Sequence, residues 1–188
     1  MLSGRRLDLL DPSPLDIEIE DIAHGLARVA RWNGQTKGDH ALSVAQHALI
    51  VEDIAGSLNR GWSRQSLRAA LLHDAPEYVI GDLISPFKAA VGLDYKAFEW
   101  RLLAAIHRRF DIPYPLADTI IDAIKCADRI AAYYEATVLA GFALVEAAQF
   151  FGKPRLDPEL TQRLSSLEPL PPHIAQREFL DRFVVLSA

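Results

Sequence analysis

Apolar side chains in this chain recur every three to four residues, the spacing of a helix face rather than of a strand. The longest stretch, Leu116 to about Ala140, places Ala117, Ile120, Ile121, Ile124, Ala127, Ala131 and Val138 at that period. A first helix is predicted from Asp21, with Ile22, Leu26, Val29 and Ala30 on one side, ending at Asn33-Gly34. Ser43 is a good N-cap for a second helix running to about Leu58, and Ser63 for a third that carries Leu67, Ala70 and Leu71. Pro76, Gly81 and Pro86 predict short turns. A helix from Tyr95 to Phe110 carries Phe98, Leu102, Ala105 and Ile106, and a final amphipathic helix turns Ile174, Phe179, Phe183 and Val184 inward. Loops are expected at Gly152 to Pro158 and Pro169 to Pro172. With no convincing run of strands and no repeat, the reading is an all-α single domain over 1–188. It divides into an irregular leader (1–19), a helical core (20–140) and a C-terminal helical extension (141–188).

The composition narrows the function. Of 188 residues, 50% are hydrophobic, enough for a sizeable core and too many for intrinsic disorder. A net charge of −5, with both signs interspersed, argues against a partner that is a nucleic-acid polymer. The single cysteine, Cys126, excludes a disulfide framework and fits a reducing, cytoplasmic setting. No membrane segment is expected, because the longest uncharged apolar stretch, Ala136 to Val145, is half of the ~20 residues that a span needs.

The informative residues are polar ones on apolar stripes. His47 lies three after Val44, four before Val51 and seven before Ile54; Asp74 lies three after Leu71 and seven after Leu67; Asp128 lies four after Ile124 and three before Ala131. A buried carboxylate costs several kcal/mol unless it is paired or binds a metal. Each has an ordinary alternative. An inward histidine is commonly a hydrogen-bonded core residue, and the aspartates have Arg68 and Arg129 as candidate partners. Asp74-Ala75-Pro76-Glu77 also reads as a capping box. Together with His73, however, these residues offer two imidazoles and two carboxylates, a set suited to one divalent ion such as Mn, Co, Fe, Ni or Zn.

This constellation resembles the HD-domain superfamily of metal-dependent phosphohydrolases. The match is carried by Ser43-Val44-Ala45-Gln46-His47, by Leu71-Leu72-His73-Asp74-Ala75-Pro76-Glu77 continuing to Gly81-Asp82-Leu83, and by Lys125-Cys126-Ala127-Asp128. Arg31-Trp32, Ser85-Pro86-Phe87-Lys88 and Tyr95-Lys96-Ala97-Phe98-Glu99 are similar to the bacterial 5′-deoxynucleotidase branch. The likeness covers roughly residues 22 to 140. The chain departs from that branch at Ala45-Gln46-His47, where Ser-Glu-His is common, and across residues 34–42.

The resemblance implies an HD-type helical bundle in which His47, His73, Asp74 and Asp128 hold one divalent metal. It also implies a metal-dependent phosphatase or nucleotidase acting on (deoxy)nucleoside 5′-monophosphates. Asp74 would orient the attacking water, Glu77 would exchange protons with it, and Asp82 would face the sugar or leaving oxygen. Arg31 would clamp phosphate and Trp32 would stack on sugar or base, with Lys88 and Lys125 as weaker phosphate candidates and His40 as a pocket-lining one. Asp82 as a plain turn residue and Trp32 as core are the competing readings. Two alternatives for function stand beside this one: hydrolysis of another phosphorylated nucleotide such as a guanosine tetraphosphate alarmone, and a non-catalytic nucleotide-binding protein. Tyr78, where alarmone hydrolases tend to carry an acidic residue, counts against the first. The final helix either closes the core or serves a homodimer interface.

Overall fold

The computed structural model describes residues 1–83 and 93–188, with the side chains of residues 93 and 94 left aside. Nine helices are described: α1 (Ile19–Leu26), α2 (Val44–Leu58), α3 (Arg64–Leu71), α4 (Glu77–Ile80), α5 (Leu93–Arg109), α6 (Asp118–Tyr134), α7 (Leu144–Phe151), α8 (Pro158–Ser165) and α9 (Pro172–Ser187). Among the described residues the only extended pairing is an isolated antiparallel bridge between Ala30 and Ser43. The all-α reading is borne out.

Helix α2 is the axis of the molecule. Ser43 caps it, its hydroxyl accepting from Gln46 N at 3.2 Å, and Val44, Ala45, Ala48, Val51, Ile54 and Ala55 are wholly buried along it. A helix apolar on nearly every side has to be surrounded, and α3, α6 and α9 pack around it. Small side chains mark the α6 approach, with Ala127 and Ala131 buried. Ser63 caps α3 in the same way, accepting from Ser66 N at 3.1 Å. Both expected caps are therefore present.

Three local expectations change. Helix α1 ends at Leu26, because residues 29–31 spend their backbone groups across the chain: Arg31 N donates to Leu42 O at 2.8 Å and Val44 N to Val29 O at 3.0 Å. In α9 Phe179 is buried and Phe183 packs against the core as expected, joined by Ala175 and Leu186, whereas Val184 is 65% exposed. The long helical pattern from Leu116 breaks at Tyr134 into a wider π turn, Glu135–Leu139.

The ends of the chain belong to the same core. Ile17 is fully buried although it lies in the leader, and Ser3 N donates to the buried carboxylate of Asp21 at 3.0 Å. On the other side α9 packs on α1, α2 and α3. Its Arg182 pairs with Glu52 and Asp53 of α2, and the Gln46 side chain clamps the 168–170 loop through Glu168 O (2.7 Å) and Leu170 N (2.8 Å). Glycine decides one close approach. A Cβ on Gly25 of α1 would stand 2.7 Å from Tyr78 O, so only glycine lets α1 lie against the short α4 turn.

Candidate metal centre

Three helical elements deliver four side chains to one point. His47 comes from the middle of α2, His73 and Asp74 from the turn after α3, and Asp128 from α6. One ligand atom each of His47, His73 and Asp128 lies within 4.8 Å of the others. Asp74 Oδ2 is 3.5 Å from His47 Nε2 and 3.2 Å from His73 Nε2, and Asp128 Oδ1 is 3.3 Å from His47 Nε2. All four expected ligands thus converge, across 26 residues of chain from His47 to His73 and 55 more to Asp128.

The imidazoles are oriented for ligation. His47 Nδ1 is 2.6 Å from Glu135 Oε1, and His73 Nδ1 is 2.8 Å from Ala70 O. A carboxylate and a carbonyl only accept, so each Nδ1 carries a hydrogen, which leaves Nε2 as the atom of each ring that can meet a ligand. Each Nε2 is buried without a hydrogen-bond partner. Outer partners that fix the tautomer in this way are what metal-ligating histidines have. The donor set of two nitrogens and two carboxylates fits a borderline divalent ion, and the orphaned nitrogens give it a place.

The competing readings of these residues lose ground. Asp74 does not cap α4, whose N-cap is Pro76 with no side-chain bond. Arg68 faces Asp111 O and Ser187 Oγ instead of the aspartates, and Arg129 is exposed. The cluster is closed on one side and open on the other: His47 is fully buried, while the side chains of Asp74 and Asp128 are 25% and 41% exposed.

A residue that the sequence pattern did not single out organises the site. Glu135, wholly buried at the start of the π turn, accepts from His47 through Oε1. Its Oε2 accepts from Trp32 Nε1 at 2.9 Å and faces the Arg31 guanidinium at 3.3 Å. Glu135 therefore supplies the negative charge that Gln46, beside His47, does not. A signal was present, since Glu135 lies seven residues after Asp128, two turns along the same helical face.

Charge follows geometry. Burial pushes the Glu135 carboxyl up, but His47 and Arg31 oppose it more strongly and bring it down to about 2. Burial and Arg31 press His47 toward neutrality, yet Glu135, Asp128 and Asp74 outweigh them and raise its pKa well above the ordinary value. Burial would likewise raise Asp74 and Asp128, and the two histidines hold both below the usual range. A nitrogen with such affinity for a proton is one that a divalent cation competes for.

The remaining expected residues are placed as follows. Arg31 lies between Glu135 and Asp82 Oδ2, the latter at 3.4 Å. Trp32 packs its ring edge-on against Phe142 (5.6 Å) and Phe151 (6.2 Å), in a half-buried aromatic cluster apart from the main core. Its backbone is left-handed at φ 55°, as is Asn33 at φ 52°, a costly conformation for a bulky residue that aims the indole at Glu135. Glu77, 2% exposed, opens α4, its N–H bonded to Asp74 O at 3.0 Å. Gly81, at φ 77°, ends that helix and turns the chain toward Asp82. His40 is exposed, and Lys125 pairs on the surface with Asp122. Lys88 and Ser85-Pro86-Phe87 lie outside the described residues.

No family model matches the chain. Over 174 residues, 93% of this chain and 88% of the relative, it is 56% identical to "Uncharacterized protein RCAP_rcc00048" of Rhodobacter capsulatus. The chain belongs to the family of that protein. The relative's name assigns no activity. Among the described residues no helix is long and apolar enough to cross a membrane.

Proposed function

We propose that the protein is a divalent-metal-dependent phosphohydrolase of the HD type, acting on the phosphomonoester of (deoxy)nucleoside 5′-monophosphates. One observation carries the reading: two imidazoles, His47 fully buried and His73 partly so, hold their Nδ1 hydrogens on fixed acceptors and turn their Nε2 atoms toward two carboxylates.

His47, His73, Asp74 and Asp128 would hold the ion, which when bound supplies a Lewis acid for the phosphoryl oxygens and lowers the pKa of water. The other steps belong to the chain. Asp74, partly exposed, orients the attacking water at the open side of the cluster. Glu77, buried one turn further on, takes or gives the proton. Arg31 binds phosphate oxygens, drawing its charge away from Asp82 and Glu135. Asp82, paired with Arg31, follows the guanidinium and faces the leaving group. Trp32 acts from behind by fixing Glu135, with its ring occupied by Phe142 and Phe151. The net charge of −5 is no obstacle, because the cationic charge needed for one phosphate is concentrated at the ion and Arg31.

Phosphate release from a panel of nucleoside 5′-monophosphates with Mn or Co tests the reading. Release by wild type that Asp74→Ala abolishes is the expected result. No release with any of them, or equal release by Asp74→Ala, contradicts it.

A further inference from the structure

We propose that Glu135 is a positioning residue that couples the two halves of this site, so that an anion on Arg31 and a divalent ion on His47 each strengthen binding of the other. The inference rests on the metal-centre reading and adds a communication path inside it.

Glu135 has two oxygens and divides them. Oε1 accepts from the imidazole of His47 at 2.6 Å, and Oε2 takes the Trp32 N–H at 2.9 Å and the Arg31 guanidinium at 3.3 to 3.4 Å. The carboxylate is wholly buried, so the demands of one side fall on the other undiluted by water. The Arg31 contacts, including 3.4 Å to Asp82, are longer than the ~2.7–2.9 Å of a tight charge-assisted pair. Arg31 is held by charge, without a locked fork, and an arriving phosphate group draws it away. Glu135 then bears more fully on His47 Nδ1–H, which makes Nε2 the better electron-pair donor. In the opposite direction, an ion on Nε2 polarises Nδ1–H, pulls Glu135 toward His47 and loosens its hold on Arg31. Linkage requires the two effects to be equal in size. No bond forms or breaks along this path.

The test is a cycle on Co(II) affinity, read by calorimetry and by the visible absorption of bound Co(II), with and without inorganic phosphate. Loss of the Arg31 charge alone favours a nearby cation in any background, so the cycle compares Arg31→Met with and without Glu135→Gln. The expected result is that Arg31→Met tightens Co(II) binding at least about threefold more when Glu135 is present, as for residues sharing one network. Phosphate likewise tightens Co(II) binding more in wild type than in Glu135→Gln. Trp32→Phe is a second test that changes no charge and does not require Glu135→Gln to fold. Removing a neutral donor from Oε2 is expected to tighten Co(II) binding, where a purely structural role for the indole would weaken it. Equal factors in both backgrounds, or unchanged or weaker binding by Trp32→Phe, overturn the coupling while leaving the metal centre intact. No Co(II) binding by wild type overturns both.

Discussion

His47 and His73 stand with ring centroids 5.4 Å apart, and each has committed its Nδ1 hydrogen away from the other. The two Nε2 atoms so arranged face the same small space, beside the carboxylates of Asp74 and Asp128. Without a cation, that space has to be filled by protons shared with Asp74 and Asp128. Stability should therefore respond to metal.

Divalent ion is expected to raise the melting temperature of chelator-treated protein. At about 100 times the dissociation constant the gain is about 2.7 kcal/mol, which for a chain of this size corresponds to roughly 5–10 °C. Asp128→Ala should remove the shift. Thermal melts with Mn or Co, for wild type and variant, check it. An identical shift in Asp128→Ala would place the ion elsewhere.

Gly25→Ala is expected to destabilise the protein by roughly 1–3 kcal/mol, the usual cost of overpacking. The new Cβ would meet backbone, Tyr78 O at 2.7 Å, which cannot rotate out of the way. The displaced segment carries Glu77, so activity should fall along with stability. Urea denaturation and phosphate release measured on the same preparation would show the two together.

Glu77→Gln is expected to lower turnover by about 10²–10⁴-fold, the range for a positioned proton donor or acceptor. Metal stoichiometry should stay at one, because Glu77 lies outside the ligand set. Loss of metal in this variant would make Glu77 a ligand or a support for one.

Much of this was legible in the sequence, for identifiable reasons. The caps at Ser43 and Ser63 are local chemistry, and both appear where expected. His47, Asp74 and Asp128 were visible because they interrupt apolar stripes, a pattern that survives without any tertiary information. Glu135 was not, because its partners His47, Arg31 and Trp32 come from 88 to 104 residues away. The early end of α1 escaped for a similar reason: the Val29 and Arg31 backbone bonds are made with residues 42 and 44, beyond any helical window. Ile17 looked like leader because nothing near it in sequence shows that it enters the core.

His107 should give the protein a pH dependence separate from the metal centre. Burial lowers its pKa, partly opposed by Pro113 O, and its ring packs on Tyr114 at 5.7 Å. A histidine held neutral in the fold binds its proton more readily when unfolded. Its contribution is therefore fully present above the unfolded pKa of about 6.5 and is lost as pH falls from there toward the lower folded value. Chelator-treated wild type and His107→Gln, unfolded in urea between pH 5 and 8, should differ by an amount that shrinks toward the acid end. A constant difference would mean that His107 does not change its proton binding on folding.

The most direct measurement is anomalous diffraction from crystals of protein loaded with Co(II). The expected result is one ion per chain, ligated by Nε2 of His47 and His73 and by oxygens of Asp74 and Asp128 at about 2.0–2.2 Å, with Glu135 still on His47 Nδ1. An ion bound elsewhere, with these four side chains unliganded, would contradict the metal centre and the phosphohydrolase reading built on it.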